Sequence, residues 1–175
     1  MGEVERATHL AAAARDLRAR FLVDFWMETE GCYCLALEQG GGQVASVTSN
    51  AAQVLWTGIA TPEHARRIAT RMMQPDMFSG WGIRTLSLDH PRFDPLAYQQ
   101  GSVWSFDNSL IVSGLRRYNE DAAALRIAAA TLDAAHGFRL GRLPEFIAGT
   151  QRRSGDDPVH TPRADPLQAW SAAAV

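Results

Sequence analysis

Glu145 is the carboxylate of this sequence that is best placed for proton transfer. It follows Pro144 in the run Gly-Arg-Leu-Pro-Glu-Phe, in a segment without helical period, and stands between Leu143 and Phe146. A carboxylate between apolar side chains is a candidate for general acid or base catalysis. The alternative is an ordinary solvated glutamate in a loop.

A second group of residues has the chemistry of sugar recognition. Trp81 and Trp104 are each flanked by Gly or Ser, and an indole ring packs well on the C–H faces of a sugar. Carboxylate, amide and guanidinium groups can each bind two neighbouring hydroxyls, and candidates of this kind are Arg84, Asp107 and Asn108. The structural alternatives are core tryptophans, a helix cap at Asp107 or Asn108, and a structural ion pair at Arg84.

These sugar-recognition candidates lie in one long segment, residues 78–108. It contains Pro91 and Pro95 and has neither a helical nor a strand period. Connections of this length without secondary structure are usually functional or disordered, and disordered segments are poor in aromatic residues. The segment carries many aromatic residues, and we therefore predict an ordered, site-forming loop; among them are Trp81, Phe93, Tyr98, Trp104 and Phe106.

The rest of the composition excludes several other kinds of function. The net charge is −2 and all 17 basic residues are arginines spread along the chain, so we expect neither nucleic acid nor a membrane as partner. None of the five histidines has metal-ligand spacing, and we predict no metal or cofactor. Cys32 and Cys34 are expected to be reduced, buried side chains. Residues 1–20 lack an apolar stretch, and the predicted location is the cytoplasm.

The elements that must position these residues are mostly helices. Apolar spacing predicts a first helix over residues 5–26, and Gly40–Gly42 predicts the turn of a small β-hairpin between residues 33 and 48. Thr61-Pro62-Glu63 marks a helix start, and Asp107 or Asn108 is expected to cap the next helix. After a break at Asn119, another helix is expected to end at His136-Gly137, and a last one to begin at Asp165. The predicted class is mainly α, built of helical hairpins with one small β-hairpin. The final helix stops in mid-pattern, so residues 1–175 are expected to be a single incomplete domain.

Several motifs occur in the order found in a known family. They are Val47-Thr-Ser-Asn50, Leu55-Trp-Thr-Gly58, Phe78–Leu86, Gly101-Ser-Val-Trp104 with Asp107-Asn108, Gly141-Arg-Leu-Pro-Glu145 and Pro166–Trp170. From about Cys32 onward the sequence resembles the C-terminal part of amylo-α-1,6-glucosidases, the glycogen-debranching-like glycoside hydrolases. The resemblance implies a partial (α/α)6 toroid.

The resemblance also implies a mechanism. The family is one of inverting hydrolases of α-glucosidic bonds, in which Glu145 would be the general base and Trp81, Arg84, Trp104, Asp107 and Asn108 would line the sugar subsite. The family's general acid is an Asp in a Trp-Lys-Asp-like motif that this lysine-free sequence lacks. The missing N-terminal half of the toroid is therefore an expected partner, and the isolated chain is expected to be inactive.

One departure from the family pattern and two alternatives remain open. Ser105 and Phe106 stand where the family usually has Pro and a polar residue, which affects the expected substrate contacts of that loop. One alternative is a non-catalytic carbohydrate-binding or structural partner, either a degenerate fragment or half of a split toroid. The other is an unrelated helical interaction module.

Overall fold

The protein is mainly helical, as predicted. The computed structural model describes residues 2–174. The α-helices are α1 (Glu3–Asp24), α2 (Asn50–Thr57), α3 (Pro62–Met72), α4 (Ser105–Arg117), α5 (Asp121–His136) and α6 (Ala169–Ala172). A 3-10 turn at Arg139–Gly141 follows α5. Over residues 2–174, none of the helices combines the length and apolar character needed to cross a bilayer.

Two short antiparallel ribbons stand where one hairpin was predicted. The strand β1 (Trp26–Met27) pairs with β2 (Cys32–Tyr33), and β3 (Ala36–Leu37) pairs with β4 (Gln43–Val44). The second ribbon is the predicted hairpin, and Gly40 and Gly41 in its turn have φ angles of 110° and 89°, which glycine adopts without strain. The first ribbon was missed because β2 and β3 read as one continuous alternating strand.

The two cysteines beside these ribbons are free and buried, as predicted. Burial raises the pKa of the Cys32 thiol to about 12, so this side chain behaves as a small apolar group.

The helical core forms where α2 and α5 pack on α4. The short helix α2 was not predicted, because eight residues hold too few turns to show a clear period. At the crossing of α2 and α4, Gly114 lies so close to α2 that an added Cβ would be 2.6 Å from the backbone nitrogen of Trp56. The core residues of these helices are Leu55, Ile111, Leu115, Ile127 and Ala130.

Replacing Gly114 with alanine should therefore destabilise the fold. The new methyl group would overlap α2, and overpacking of this kind costs about 1–3 kcal/mol. The exposed neighbour Ser113 on the same helix is the matched control, because Ser113→Ala gains helix propensity without a clash. Urea unfolding should show a lower free energy of unfolding for Gly114→Ala only. A Gly114→Ala variant as stable as the wild type would contradict this packing.

Several predicted helix ends are confirmed. The hydroxyl oxygen of Thr61 accepts a hydrogen bond from the backbone N–H of His64 at 3.1 Å, and Pro62 is the first residue of α3. Asn119 has a positive φ of 62° between α4 and α5. Gly137 caps α5 after His136.

Two other predicted helix starts are wrong. Trp104 is the N-cap of α4, so Asp107 and Asn108 lie inside its first turn and cap nothing. The last helix begins at Ala169 and not at Asp165, whose carboxylate accepts a hydrogen bond from the N–H of Leu167 at 2.9 Å in a local turn. Aspartate side chains favour such turns as readily as helix caps, and that ambiguity produced the error.

The first helix is exposed along almost its whole length. Its predicted apolar stripe includes Leu10 and Leu17, yet these side chains are 56% and 54% exposed. Only its C-terminal end packs against the core, through Phe21, Leu22 and the following Phe25. Within residues 2–174, nothing covers the apolar face of α1.

The long segment before α4 is ordered, as predicted. It is held by isolated bridges between Phe78 and Ile83 and between Arg84 and Val103. Val103 also pairs with Ile147, with backbone hydrogen bonds of 2.9 Å in both directions. This pairing brings the segment that precedes α4 beside the segment that contains Glu145.

Candidate active site

Glu145 lies in the segment between α5 and α6, where Tyr98 and Asp165 contact its side chain. Its side chain is 7% exposed. The hydroxyl of Tyr98 donates a hydrogen bond of 2.7 Å to Oε1, and the backbone N–H of Asp165 donates one of 3.3 Å to Oε2. A carboxylate can accept about four hydrogen bonds, so Glu145 is oriented by its neighbours and still has free acceptor capacity. This is the arrangement that a general base requires.

Aromatic rings surround this carboxylate. Trp104 stacks on Phe146, with ring centroids 5.1 Å apart, and Tyr98 packs edge-on against both of them. Phe106 stacks on Trp170 at 5.1 Å, and Trp170 packs edge-on against Trp104 at 6.3 Å. The predicted sugar-binding residue Trp104 therefore lies at the centre of an aromatic cluster beside Glu145.

An open cavity of about 720 Å³ adjoins the aromatic cluster. Trp104, Phe106 and Trp170 line one part of it. Hydroxyl, amide and carboxyl side chains line much of the rest, together with Leu35, Val44, Leu86, His90 and Arg92. These polar side chains include Ser46, Thr48, Ser49, Asn50, Gln53, Gln99, Gln100 and Asp107. Glu145 is not a lining residue and is connected to the cavity through Tyr98 and Trp104. Aromatic faces combined with such donors and acceptors suit a ligand rich in hydroxyl groups.

Asp107 contributes a carboxyl group to this cavity from the first turn of α4. The side chain is buried, and its Oδ1 accepts a hydrogen bond from the amide of Gln53. Burial raises the pKa of Asp107, while the nearby Ser49 hydroxyl and Gln53 amide lower it to a smaller extent. Within residues 2–174, Oδ2 has no hydrogen-bond partner. Asp107 is therefore biased toward its neutral form, in which it can donate a hydrogen bond as well as accept one.

Arg84 is placed inside the protein and away from this cavity. The residue is fully buried, and its Nε donates to the carbonyl oxygen of Gly149 at 2.6 Å. Its other nitrogens donate to the carbonyl oxygens of Pro75 and Asp76 and to the side chain of Gln151. This geometry ties three chain segments together, which favours a structural role for Arg84.

Asn108 and Trp81 also do not line the cavity. The Asn108 amide accepts from the backbone N–H of Ile83 at 2.7 Å and donates to the carbonyl oxygens of Ile83 and Trp104. Trp81 is buried in a packing cluster that includes Val103, and the Arg152 guanidinium lies 4.3 Å from its ring centroid. Both side chains shape the long segment beneath the site, and neither reaches the cavity.

Four site residues were missed from the sequence. Gln53 binds Asp107 from the unpredicted helix α2, and Trp170 lies on α6, whose start was misplaced. Tyr98 and Phe106 were noted only among the aromatic residues of the loop. The Pro166–Trp170 motif was the available signal for Trp170, whereas nothing local indicated that Tyr98 contacts Glu145.

Over residues 2–174, no group of three or more His, Cys, Asp or Glu side chains has the arrangement of a metal site.

Solved structures with a similar fold are sugar-processing proteins. A GH63 mannosylglycerate hydrolase from Thermus thermophilus, solved in complex with glucose, is 24% identical with a TM-score of 0.66. The match covers 85% of this chain and 35% of that one. Neutral trehalase from Saccharomyces cerevisiae is 17% identical with a TM-score of 0.58, covering 67% of this chain and 22% of that one. These neighbours are glycosidases of the α/α-toroid type, which confirms the predicted fold class.

The family comparison agrees with the structural one. A search of curated proteins found no significant match. This chain spans about a third of the length of the mannosylglycerate hydrolase chains that it matches. The model of the mannosylglycerate hydrolase MGH1-like glycoside hydrolase domain matches residues 1–141, and Glu145 lies just beyond that match. The chain thus belongs to the mannosylglycerate hydrolase MGH1-like family of glycoside hydrolase domains.

Proposed function

We propose that this chain forms part of an inverting glycoside hydrolase that cleaves an α-linked sugar, with Glu145 as the general base. The observation that carries the proposal is the Glu145 carboxylate, which is nearly buried and oriented by Tyr98 beside an aromatic cluster. The adjoining cavity offers hydroxyl, amide and carboxyl groups to a sugar. Family membership supports hydrolysis as the reaction.

The proposed reaction needs two carboxyl groups with different tasks. Glu145 would remove a proton from the water that attacks the anomeric carbon, while a carboxylic acid protonates the leaving oxygen. In inverting enzymes these groups are about 6.5–9.5 Å apart, which leaves space for the water. We place the general acid outside this sequence, on further helices of the α/α domain. The fact that the chain spans about a third of its structural matches supports this division.

The exposed face of α1 supports the same division. Leu10 and Leu17 would pack against those further helices, since large exposed apolar faces usually mark an interaction surface. We therefore expect the isolated 175-residue chain to bind sugar without hydrolysing it. We expect the complete protein in the cytoplasm, in keeping with the free thiols of Cys32 and Cys34.

The sugar subsite that we propose differs from the predicted one. Trp104 and Asp107 remain in it, because both line the cavity. Phe106 and Trp170 join them as aromatic surfaces. Arg84, Asn108 and Trp81 act indirectly by holding the loop that carries Trp104.

Two substrate classes follow from the two resemblances. The motif order resembles that of debranching enzymes, which favours an α-glucosidic bond in an oligosaccharide or polysaccharide. The family match and the fold neighbours favour a small α-linked glycoside such as mannosylglycerate or trehalose. Family membership does not support an unrelated helical interaction module. A non-catalytic carbohydrate-binding role remains the main alternative.

The test is to express the complete reading frame that contains this sequence and to follow sugar hydrolysis by proton NMR. The substrates are maltotriose, an α-1,6-branched dextrin, trehalose and mannosylglycerate, and the sugar whose anomeric carbon is attacked is expected as the β-anomer. Trehalose should give one β- and one α-glucose, because the leaving glucose keeps its configuration. Release of the attacked sugar as the α-anomer would contradict inversion. Binding of a sugar by calorimetry without hydrolysis of any of them would favour the non-catalytic role.

A further inference from the structure

We infer that Tyr98 is a positioning residue for Glu145. The Tyr98 hydroxyl holds Oε1 of the Glu145 carboxylate, so that Oε2 takes the proton from the attacking water. The inference rests on the proposed role of Glu145 as general base. It concerns a residue that neither the motifs nor the family description singles out.

The two hydrogen bonds on the Glu145 carboxylate are unequal. The bond from the Tyr98 hydroxyl to Oε1 is 2.7 Å, whereas the bond from the Asp165 N–H to Oε2 is 3.3 Å. A short bond to an ionised acceptor is a strong one, so Oε1 is the more firmly held oxygen. Oε2 holds only the longer bond and keeps an acceptor position for a water molecule.

Tyr98 is itself held firmly enough to orient another group. Its ring packs edge-on against Trp104 and Phe146, with centroids 4.7 Å and 5.2 Å away. Its carbonyl oxygen accepts hydrogen bonds from the Trp104 indole at 2.9 Å and from the Ser102 hydroxyl at 2.7 Å. Both the ring and the backbone of Tyr98 are thus fixed by the residues that form the aromatic cluster.

The step that Tyr98 assists is balanced within the proposed reaction. One O–H bond of the water breaks as its proton moves to Oε2, and the water oxygen forms the new bond to the anomeric carbon. The glycosidic C–O bond breaks, and its oxygen takes a proton from a second carboxylic acid. Tyr98 keeps its own proton throughout and fixes the orientation of the Glu145 carboxylate. Loss of this orientation lowers the rate of the chemical step.

A spectroscopic experiment tests the contact without requiring activity. The chain has three tyrosines, so labelling Tyr Cζ with ¹³C gives three signals, and Tyr98 is assigned by its loss in Tyr98→Phe. The hydrogen bond to the Glu145 carboxylate raises the pKa of the Tyr98 phenol, because a carboxylate stabilises the neutral phenol and repels the phenolate. In Glu145→Gln, the pKa of Tyr98 should fall toward its ordinary value. The signals of Tyr33 and Tyr118 should not change and report an intact fold.

A kinetic experiment tests the function of the contact, using the protein from the complete reading frame. Tyr98→Phe should lower kcat by about tenfold to a hundredfold, the range expected when a catalytic group loses its orientation, with KM changed by less than about threefold. Tyr118→Phe is the matched control, because it removes a hydroxyl that donates to the carbonyl oxygen of Ala60 outside the site. Its kcat should equal that of the wild type.

The outcomes separate this inference from the proposed function. An unchanged Tyr98 titration in Glu145→Gln, or wild-type kcat in Tyr98→Phe, would overturn the positioning role alone. Full activity in Glu145→Gln would overturn the role of Glu145 as base, and the positioning inference with it. The absence of hydrolysis by the wild-type protein would have the same consequence, even if the Tyr98 contact itself were detected.

Discussion

Glu145→Gln should lower kcat for glycoside hydrolysis by about 10²–10⁴-fold in the protein from the complete reading frame, which is the usual contribution of a general base. Glutamine has nearly the same shape as glutamate and can still accept a hydrogen bond from Tyr98, but it cannot take a proton from water. Sugar affinity should change by less than about threefold, because Glu145 does not line the cavity.

The comparison of Glu145→Gln with the wild type needs a control in which a glutamate outside the site is replaced by glutamine. Glu38→Gln serves this purpose, because Glu38 is exposed beside the turn of the second ribbon. Its kcat should equal that of the wild type. Titration calorimetry on each variant separates a loss of chemistry from a loss of binding. If Glu145→Gln weakened binding and left kcat unchanged, Glu145 would be a substrate ligand and not the base.

Arg84→Met should lower the free energy of unfolding by at least about 1–3 kcal/mol, the cost of leaving a buried hydrogen-bonding group without its partner. The variant fills much of the same space but removes every hydrogen bond that Arg84 makes. The carbonyl oxygens of Pro75, Asp76 and Gly149 would lose the donor that Arg84 provides inside the protein. Buried acceptors without a donor are costly. Urea unfolding followed by tryptophan fluorescence measures the change.

Arg163→Met is the matched control for this substitution. Arg163 also lies in a loop, but it is exposed and does not line the cavity, and surface changes of this kind usually alter stability by less than about 0.5 kcal/mol. The experiment also decides between the two roles considered for Arg84. An Arg84→Met variant with wild-type stability and weakened sugar binding would restore Arg84 as a substrate ligand and contradict the structural role.

Much of the helical pattern could be predicted because its signals are local. Thr61 and Pro62 start α3, Asn119 separates α4 from α5, and Gly137 ends α5, each through backbone preferences of its own residue. The missed features are those with weak or shared local signals. The helix α2 is too short to show a period, and Asp165 begins a turn where a helix cap was expected.

The candidate site shows the same limit more clearly. Glu145 and Trp104 were predicted from their local context. They lie close together because the segments that carry them are joined by the pairing of Val103 with Ile147. Arg84 and Trp81 had equally suitable chemistry and stand in the same loop, yet both are buried away from the cavity. The type of a side chain shows what it can bind. Whether that side chain is buried, and where it points, depends on neighbours that are distant in sequence.

The amino-acid sequence was therefore sufficient for the mainly helical class, the ordered aromatic loop and the buried thiols, and it made Glu145 the leading candidate carboxylate. These properties depend on composition, periodicity and short motifs, which act over a few residues. Tertiary structure alone decided that Tyr98 holds Glu145, that Gln53 binds Asp107 and that Arg84 is an internal support. These contacts join residues 47, 54 and 65 positions apart, and no local preference specifies which distant partner a side chain will meet.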